Sequence, residues 1–428
     1  MSDNIKQIIL VLLLGILLKH SYAQGPVISL QDCYQRAASN AAISGNPQLM
    51  EQLAGLRLKN IDASRLPSVE WKGKATWQNE IFGLPFEFPN VDFSIPLYNI
   101  QTNLEASYLL YDGGLADARK KVEQTRFATD KQSVAVELNK LKDQVNQVFF
   151  GALLLQEYAA SLALTRKDLA AKTKQLAAGV RHGVVLESDL KKVQVEQLKI
   201  ESKIAELQSD RRAMLAVLGS LTGQELAADA GLKAPGFDVL RPSGETRRPE
   251  LALFDLQKQQ VLANEDLITA NWKPKVALFA QAGAGYPDPL NFFDKKISPY
   301  FIGGVQFSWK FWDWKQADRE RQQLAVQSQL IENQKITFEQ NIDHQEGKFL
   351  EDVAKIQAQI AADDEIAKLQ GEILKQLSSQ LEHGVITATD YLLQSNAELQ
   401  ARLNKEAHRI QLAQVQASYW TWKGWWQQ

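Results

Sequence analysis

The stretch "FWDWKQADRERQ", Phe311–Gln322, passes from three aromatic residues into charged helix formers with no proline and no long loop between them. The same statement is written earlier in "LYDGGLADARKK", Leu110–Lys121: an aromatic-Asp pair, then Ala-Asp, then basic residues. Asp313 lies 201 positions after Asp112 (313 less 112), and Ala317-Asp318 lies 201 after Ala116-Asp117. A second pair keeps that spacing: "RHGVVLESDL", Arg181–Leu190, against "EHGVITATDY", Glu382–Tyr391. A looser anchor, Pro67 with Pro274, is offset by 207 (274 less 67). Solenoid units run about 20 to 50 residues, so a period near 200 marks duplication of a whole subdomain. The expected layout is a first repeat over 24–218, an interrupted Gly/Pro-rich segment over 219–247, and a second repeat over 248–428.

Each repeat reads in the same order. Helical stretches lead to Pro67 and Pro274, where the residue before proline disfavours the α region and the chain turns extended. Period-two segments follow. Val69, Trp71, Gly73, Ala75 and Trp77 alternate with Glu70, Lys72, Lys74, Thr76 and Gln78, giving a strand with two unlike faces. Strands are expected near 67–80, 101–111, 274–286 and 300–311. Long helices follow each hairpin, from Leu115 to near Ala178 and from Lys315 to near Glu382. At 1.5 Å per residue each reaches on the order of 95 to 100 Å. Leu138, Leu141, Val145, Val148, Ala152 and Leu155 carry a 3-4 coiled-coil rhythm along the first of them. Turns near Gly183 and Gly384 reverse the chain into returning helices. The fold class expected is mainly α with a four-stranded β contribution.

Composition narrows the function. Net charge is −2 and no basic block interleaves with aromatics, so there is no nucleic-acid footprint. The opening "MSDNIKQIILVLLLGILLKHSYAQ" has an apolar core, Ile8–Leu18, too short to span a bilayer. It ends in Ser21-Tyr22-Ala23, small residues at the two positions a signal peptidase reads. Residues 1–23 read as a secretory signal cut before Gln24. The single cysteine, Cys33, offers neither an internal disulfide nor lipidation at the mature N-terminus. The five histidines are scattered, the cysteine has no evident base, and no phosphate loop or HExxH occurs, so no enzyme activity, cofactor or metal is expected.

Four strands of about ten residues have the length of tilted membrane strands. They cannot close a barrel alone, and lipid tolerates no open edge. A membrane-spanning form must therefore be an oligomer. On that reading Tyr108, Tyr111, Trp309, Trp312 and Trp314 are membrane-interface aromatics, marking where strands leave lipid and helices begin. A Trp/Phe cluster at a strand end is also what a soluble core looks like. The alternatives are thus a soluble periplasmic coiled-coil scaffold without a barrel, or a self-contained porin-like pore.

The order of these features resembles the TolC-like outer-membrane efflux proteins. The residues carrying the resemblance are Asn46-Pro47-x-Leu49, the "RLPSV" and "WKPKV" helix-to-strand junctions, the aromatic-Asp-x-x-x-Ala-Asp strand exits, and the turns Gly183-x5-Asp189 and Gly384-x5-Asp390. The resemblance covers nearly the whole mature chain. It implies a homotrimer whose twelve strands close one barrel in the cell outer membrane and whose helices form a periplasmic tunnel. It further implies a passive exit duct for efflux or type I secretion, docked to a periplasmic adaptor and an inner-membrane transporter. Cargo and transporter class stay open.

The resemblance also assigns roles. His182-Gly183-Val184 and His383-Gly384-Val385 stand where the adaptor docks, although the histidines depart from the usual aliphatic. Equally, the glycines serve the chain reversal and the histidines face the negative helix end. Asp390, with Asp189 as its counterpart, stands where a ring of acids narrows the periplasmic gate. Equally, each Asp favours the first turn of its returning helix, behind a Ser188 or Thr389 cap. Where a second acid can follow one turn later, this chain has Leu393.

Overall fold

A computed structural model describes residues 27–80, 95–236, 246–291 and 293–425. The expected secretory signal lies outside the described residues, as do 81–94 of the first strand-to-strand loop and 237–245 of the interrupted segment. The elements in order are α1 (Leu30–Asn40), α2 (Asn46–Ala63), β1 (Ser68–Trp77), β2 (Tyr98–Tyr111), α3 (Leu115–Arg181) and α4 (Glu187–Thr222). They continue as α5 (Pro249–Trp272), β3 (Lys275–Tyr286), β4 (Ser298–Ser308), α6 (Gln316–Glu382) and α7 (Ala388–Lys423). β4 stops three residues short of the expected Phe311, because its last partner is Lys275, the first residue of β3. β2 begins three residues early, at Tyr98, because that residue pairs with Trp77.

Two compact units form. One gathers Gly45–Val134 and Glu250–Phe338; the other gathers the chain through Ser44, Ala135–Pro249 and the chain from Glu339 onward. Each therefore takes material from both halves of the duplication.

The first unit holds the sheet, antiparallel throughout in the order β1-β2-β3-β4, with β1 and β4 at its edges. Its registers put Trp71 beside Leu104, Leu104 beside Ala282 and Ala282 beside Phe301. Because side chains alternate along a strand, one face collects Val69, Trp71, Ala75, Trp77, Ile100, Leu104, Leu278, Ala282, Phe301, Val305 and Phe307. The other collects Glu70, Lys72, Lys74, Gln101, Asn103, Glu105, Gln281, Gln306 and Ser308, with Phe279, Tyr300 and Ile302 among them on β3 and β4. The polar face is cross-linked by Lys72 to Glu105 (3.0 Å) and by Gln281 to Glu105 (3.2 Å). Among the apolar residues Trp71 is 80% exposed and Phe301 69%. An antiparallel sheet in water packs such a face on a core; among the described residues nothing covers it.

Both strand-to-helix corners are built by an aspartate. Asp112 accepts from the Gly114 and Ala116 N–H groups, each at 2.8 Å. Asp313 accepts from the Ala317 N–H at 2.7 Å. These contacts satisfy amides that a helix start leaves orphaned. Ala116 and Ala317, the small residues of the repeated motif, are both buried.

In the second unit, Leu30, Cys33, Tyr34, Val145, Phe149, Phe150, Leu215, Leu218 and Ala417 form one core. A second runs through Leu169, Leu176, Val193, Ile200, Leu207, Tyr391 and Leu399. Of the coiled-coil positions, Val145 and Ala152 are fully buried and the others half-buried. Buried Asn146 is satisfied by the Tyr34 hydroxyl, which donates to it, and by Thr421 at 3.4 Å. The interrupted segment is pinned to the helices. Gln156 bonds both the N–H and the C=O of Leu232 (3.0 and 3.1 Å), and Ile28 bridges to Leu232 in parallel.

Candidate functional site: the paired helix reversals

The two reversals share one backbone solution. At the end of α3, the Gly183 N–H donates to Val180 O (3.0 Å) and the Val184 N–H to Gly179 O (3.0 Å). At the end of α6, the Gly384 N–H donates to Leu381 O (3.1 Å) and the Val385 N–H to Gln380 O (2.9 Å). This is the Schellman arrangement, which needs a left-handed residue after the helix. Both glycines supply it at φ 70°. His182 and His383 occupy the cap position before each glycine, and His383 Nδ1 lies 2.8 Å from Ser379 O. In such caps the residue after the glycine commonly packs back on the helix. Here Val184 is 77% and Val385 70% exposed.

The returning helices begin differently from the expected caps. Ser188 and Thr389 do not cap. The N-cap of α7 is Thr387, whose hydroxyl accepts from the Asp390 N–H (3.3 Å) while Asp390 Oδ2 accepts from the Thr387 N–H (3.0 Å) and hydroxyl (2.7 Å). That is a complete capping box. The equivalent N-cap of α4 is Leu186, which has no side-chain oxygen to offer. Asp189 therefore lacks a reciprocal partner and instead accepts from Lys192 Nζ at 3.2 Å.

Lys192 is the residue that sequence reasoning missed. Its Nζ also donates to Thr389 Oγ1 at 2.9 Å, tying the start of α4 to the start of α7 across 197 positions of sequence. The Asp390 carboxyl sits below the ordinary aspartate range. The Thr387 hydroxyl and N–H stabilise its anion, helped by the charge of Lys192. Asp390 Oδ1 carries no hydrogen bond among the described residues. Beneath the reversals, Lys172 donates to Glu382 at 2.6 Å and lies 5.7 Å from the centre of the buried Tyr391 ring. Burial pushes that phenol up to about 12. Leu393, one turn past Asp390, is exposed. Asp189 and Asp390 are thus both brought to helix starts, beside one shared lysine.

The aromatic candidates lie in the sheet unit. Tyr108 and Tyr111 stand near the end of β2, and Trp309, Trp312 and Trp314 follow β4; all five are exposed. The Trp309 N–H donates to Trp272 O (3.1 Å), and Trp312 and Trp314 meet edge-to-face at 5.7 Å. Phe311, Trp312, Trp314, Lys315 and Arg321 line an open groove of about 650 Å³ with Trp272. Among the described residues no group of three or more His, Cys, Asp or Glu is placed to hold a metal ion.

No protein-family model and no curated protein matches the sequence. Solved structures do match the fold. The outer membrane protein VceC of Vibrio cholerae aligns over 92% of this chain and 96% of its own, at 12% identity and a TM-score of 0.66. The MtrE outer membrane channel of Neisseria gonorrhoeae, in its open state, aligns over 92% and 88% at 14% identity and 0.65. The CmeC outer membrane channel of Campylobacter jejuni aligns over 92% and 85% at 13% identity and 0.64. The chain has the fold of TolC-like outer-membrane channels.

Proposed function

We propose that this protein is the outer-membrane exit duct of a tripartite efflux or type I secretion system. The observation that carries the reading is the bare apolar face running across all four strands of a sheet with two open edges. A soluble periplasmic scaffold has nothing to cover that face, whereas a bilayer covers it and leaves the polar face for a lumen. Four strands are too few to enclose a lumen. Three copies bring twelve, so the barrel belongs to a homotrimer, exported by the N-terminal signal and inserted in the outer membrane. Tyr108, Tyr111, Trp309, Trp312 and Trp314 then lie at the lipid boundary, where amphipathic rings favour the headgroup level.

The reversals are the periplasmic mouth of the duct. Val184 and Val385, largely exposed at the reversals, offer apolar contacts to a periplasmic adaptor, with His182, Gly183, His383 and Gly384 shaping the surface. That adaptor connects the duct to an energised inner-membrane transporter, so conduction through the duct is passive. Asp390 and Asp189 face the gate, where a ring of carboxylates attracts cations. Lys192 moderates that ring, and Leu393 leaves it one acid deep.

Planar-bilayer conductance of the detergent-extracted protein tests this reading. Wild type is expected to give a small conductance that divalent or trivalent cations block from the periplasmic side. Asp390→Ala is expected to conduct more or to lose the block. A protein that stays soluble without detergent and never inserts would restore the scaffold alternative.

A further inference from the structure

In a trimer, each β4 must meet β1 of a second copy, and the duplication fixes how. Ser68 pairs with Ser107 in the first hairpin. Moving 207 positions on from Ser68 and 201 on from Ser107 gives Lys275 and Ser308, which are paired in the second hairpin. The two offsets that align the sequence halves thus align the strands residue by residue. Within one chain, β2 meets β3 through Leu104 with Ala282, Ala106 with Ala280 and Tyr108 with Leu278. The missing ladder is the same junction with β2 carried forward by 201 and β3 carried back by 207.

We infer that β4 pairs with β1 of a second copy so that Val305 lies opposite Ala75, Phe307 opposite Gly73 and Trp309 opposite Trp71 of that copy. The inference rests on the trimeric reading above and specifies its seam.

Two observations independent of the offsets agree. A one-residue slip would turn apolar side chains to the wrong face. In this register Trp309, Phe307 and Val305 run alongside Trp71, Gly73 and Ala75, while Lys310, Ser308 and Gln306 run alongside Glu70, Lys72 and Lys74. The apolar and polar faces both continue unbroken, and Lys310 falls opposite Glu70. The second observation concerns glycine. Inside this sheet Phe279 pairs with Gly304 and lays its ring over it, 3.0 Å from where a Cβ would stand. An aromatic side chain fills the gap that a strand glycine leaves. Gly73 has an equal gap: an added Cβ would meet only Gln101 O, at 4.0 Å. Phe307, exposed on the edge of its own chain, is the side chain the register brings to it.

Disulfide trapping tests the register. The full-length protein carrying Val305→Cys and Ala75→Cys is compared with Val305→Cys paired with Gly73→Cys or with Trp77→Cys, each slipped by two residues. A two-residue slip moves Cα atoms about 7 Å along the strand, beyond the usual reach of a disulfide. After mild oxidation in detergent, non-reducing gels are expected to show covalent dimers and trimers about tenfold more strongly for the matched pair. A swap supplies a second readout: Gly73→Phe alone is expected to reduce the trimer fraction, and Gly73→Phe with Phe307→Gly to restore it.

Slipped pairs that link as well as the matched pair would overturn the register. So would a trimer by native mass in which no pair links, or a swap that rescues nothing. A protein that is monomeric by native mass would overturn the trimer itself, a result distinct from a wrong register.

Discussion

At Asp112 the chain leaves β2 through Gly113 and Gly114; at Asp313 it leaves β4 through Trp314 and Lys315. All four residues are left-handed, with φ of 73°, 85°, 54° and 62°. Glycine takes that conformation freely, whereas other residues pay roughly 1 kcal/mol or more. The first corner has no choice: a Cβ on Gly113 would stand 2.8 Å from both Ala270 O and Lys273 Cβ. The second corner is open, and Trp314 is 77% exposed. The reversals differ in the same manner, since one backbone carries Leu186 at a helix start in the first half and Thr387 in the second. The two halves share the path of the chain and the capping aspartates, and differ in the side chains placed along it.

The largest expected effect is at the first corner. Gly113→Val adds a β-branched side chain where both conformation and space forbid it, and should lower stability by about 3 kcal/mol or more, read as lost folded protein in detergent. Trp314→Gly should do the opposite to the single chain, gaining about 1 kcal/mol by removing backbone strain. Denaturant unfolding of both variants breaks the comparison if their signs agree.

At the reversals, Thr387→Ala should cost about 1 kcal/mol locally through loss of the cap, seen as faster amide exchange at the start of α7. Leu186→Thr should slow exchange at the start of α4, since it supplies the missing hydroxyl. pH sharpens the contrast. Asp390 is held below its unfolded value, so its contribution is present above that value and disappears as pH falls through the lowered one. Protection of the amides at the start of α7, corrected for the intrinsic slowing of exchange in acid, should therefore fall on acidification, and Asp390→Asn should already be weakly protected at neutral pH.

The smallest effect on stability is expected for Lys192→Met, under about 0.5 kcal/mol, because its partners are part-exposed and salt-screened. Its signature is instead electrical. Freed of the lysine, Asp390 should bind blocking cations more tightly in the bilayer assay.

Much of this was legible because the periodicities are strong. Trp71 to Trp77 alternates cleanly, and Asp112 and Asp313 recur at a fixed spacing, so strands, corners and reversals could be placed from the sequence. The strand ends were not, because an end depends on its neighbour: β4 stops at Ser308 when β3 runs out, whatever Trp309 and Phe311 favour. The caps were misplaced by two residues. Thr387-x-x-Asp390 carries the capping-box pattern, yet adjacent Thr389 competes for the role, and Leu186 in the other half gives no cap signal at all. Lys192 was invisible for a different reason: its second partner belongs to the other repeat, and no local pattern reports a contact across 197 positions.

Cys33 has a consequence for the laboratory. It is buried beside Leu30, Tyr34 and Phe149, and desolvation, reinforced by the neighbouring Asp32 carboxylate, raises its thiol to about 12. At neutral pH almost none of it is thiolate, the form that attacks maleimides and disulfides. The natural protein is in effect its own cysteine-free background, ready for site-directed dyes and spin labels without a substitution that would hollow the core around α1.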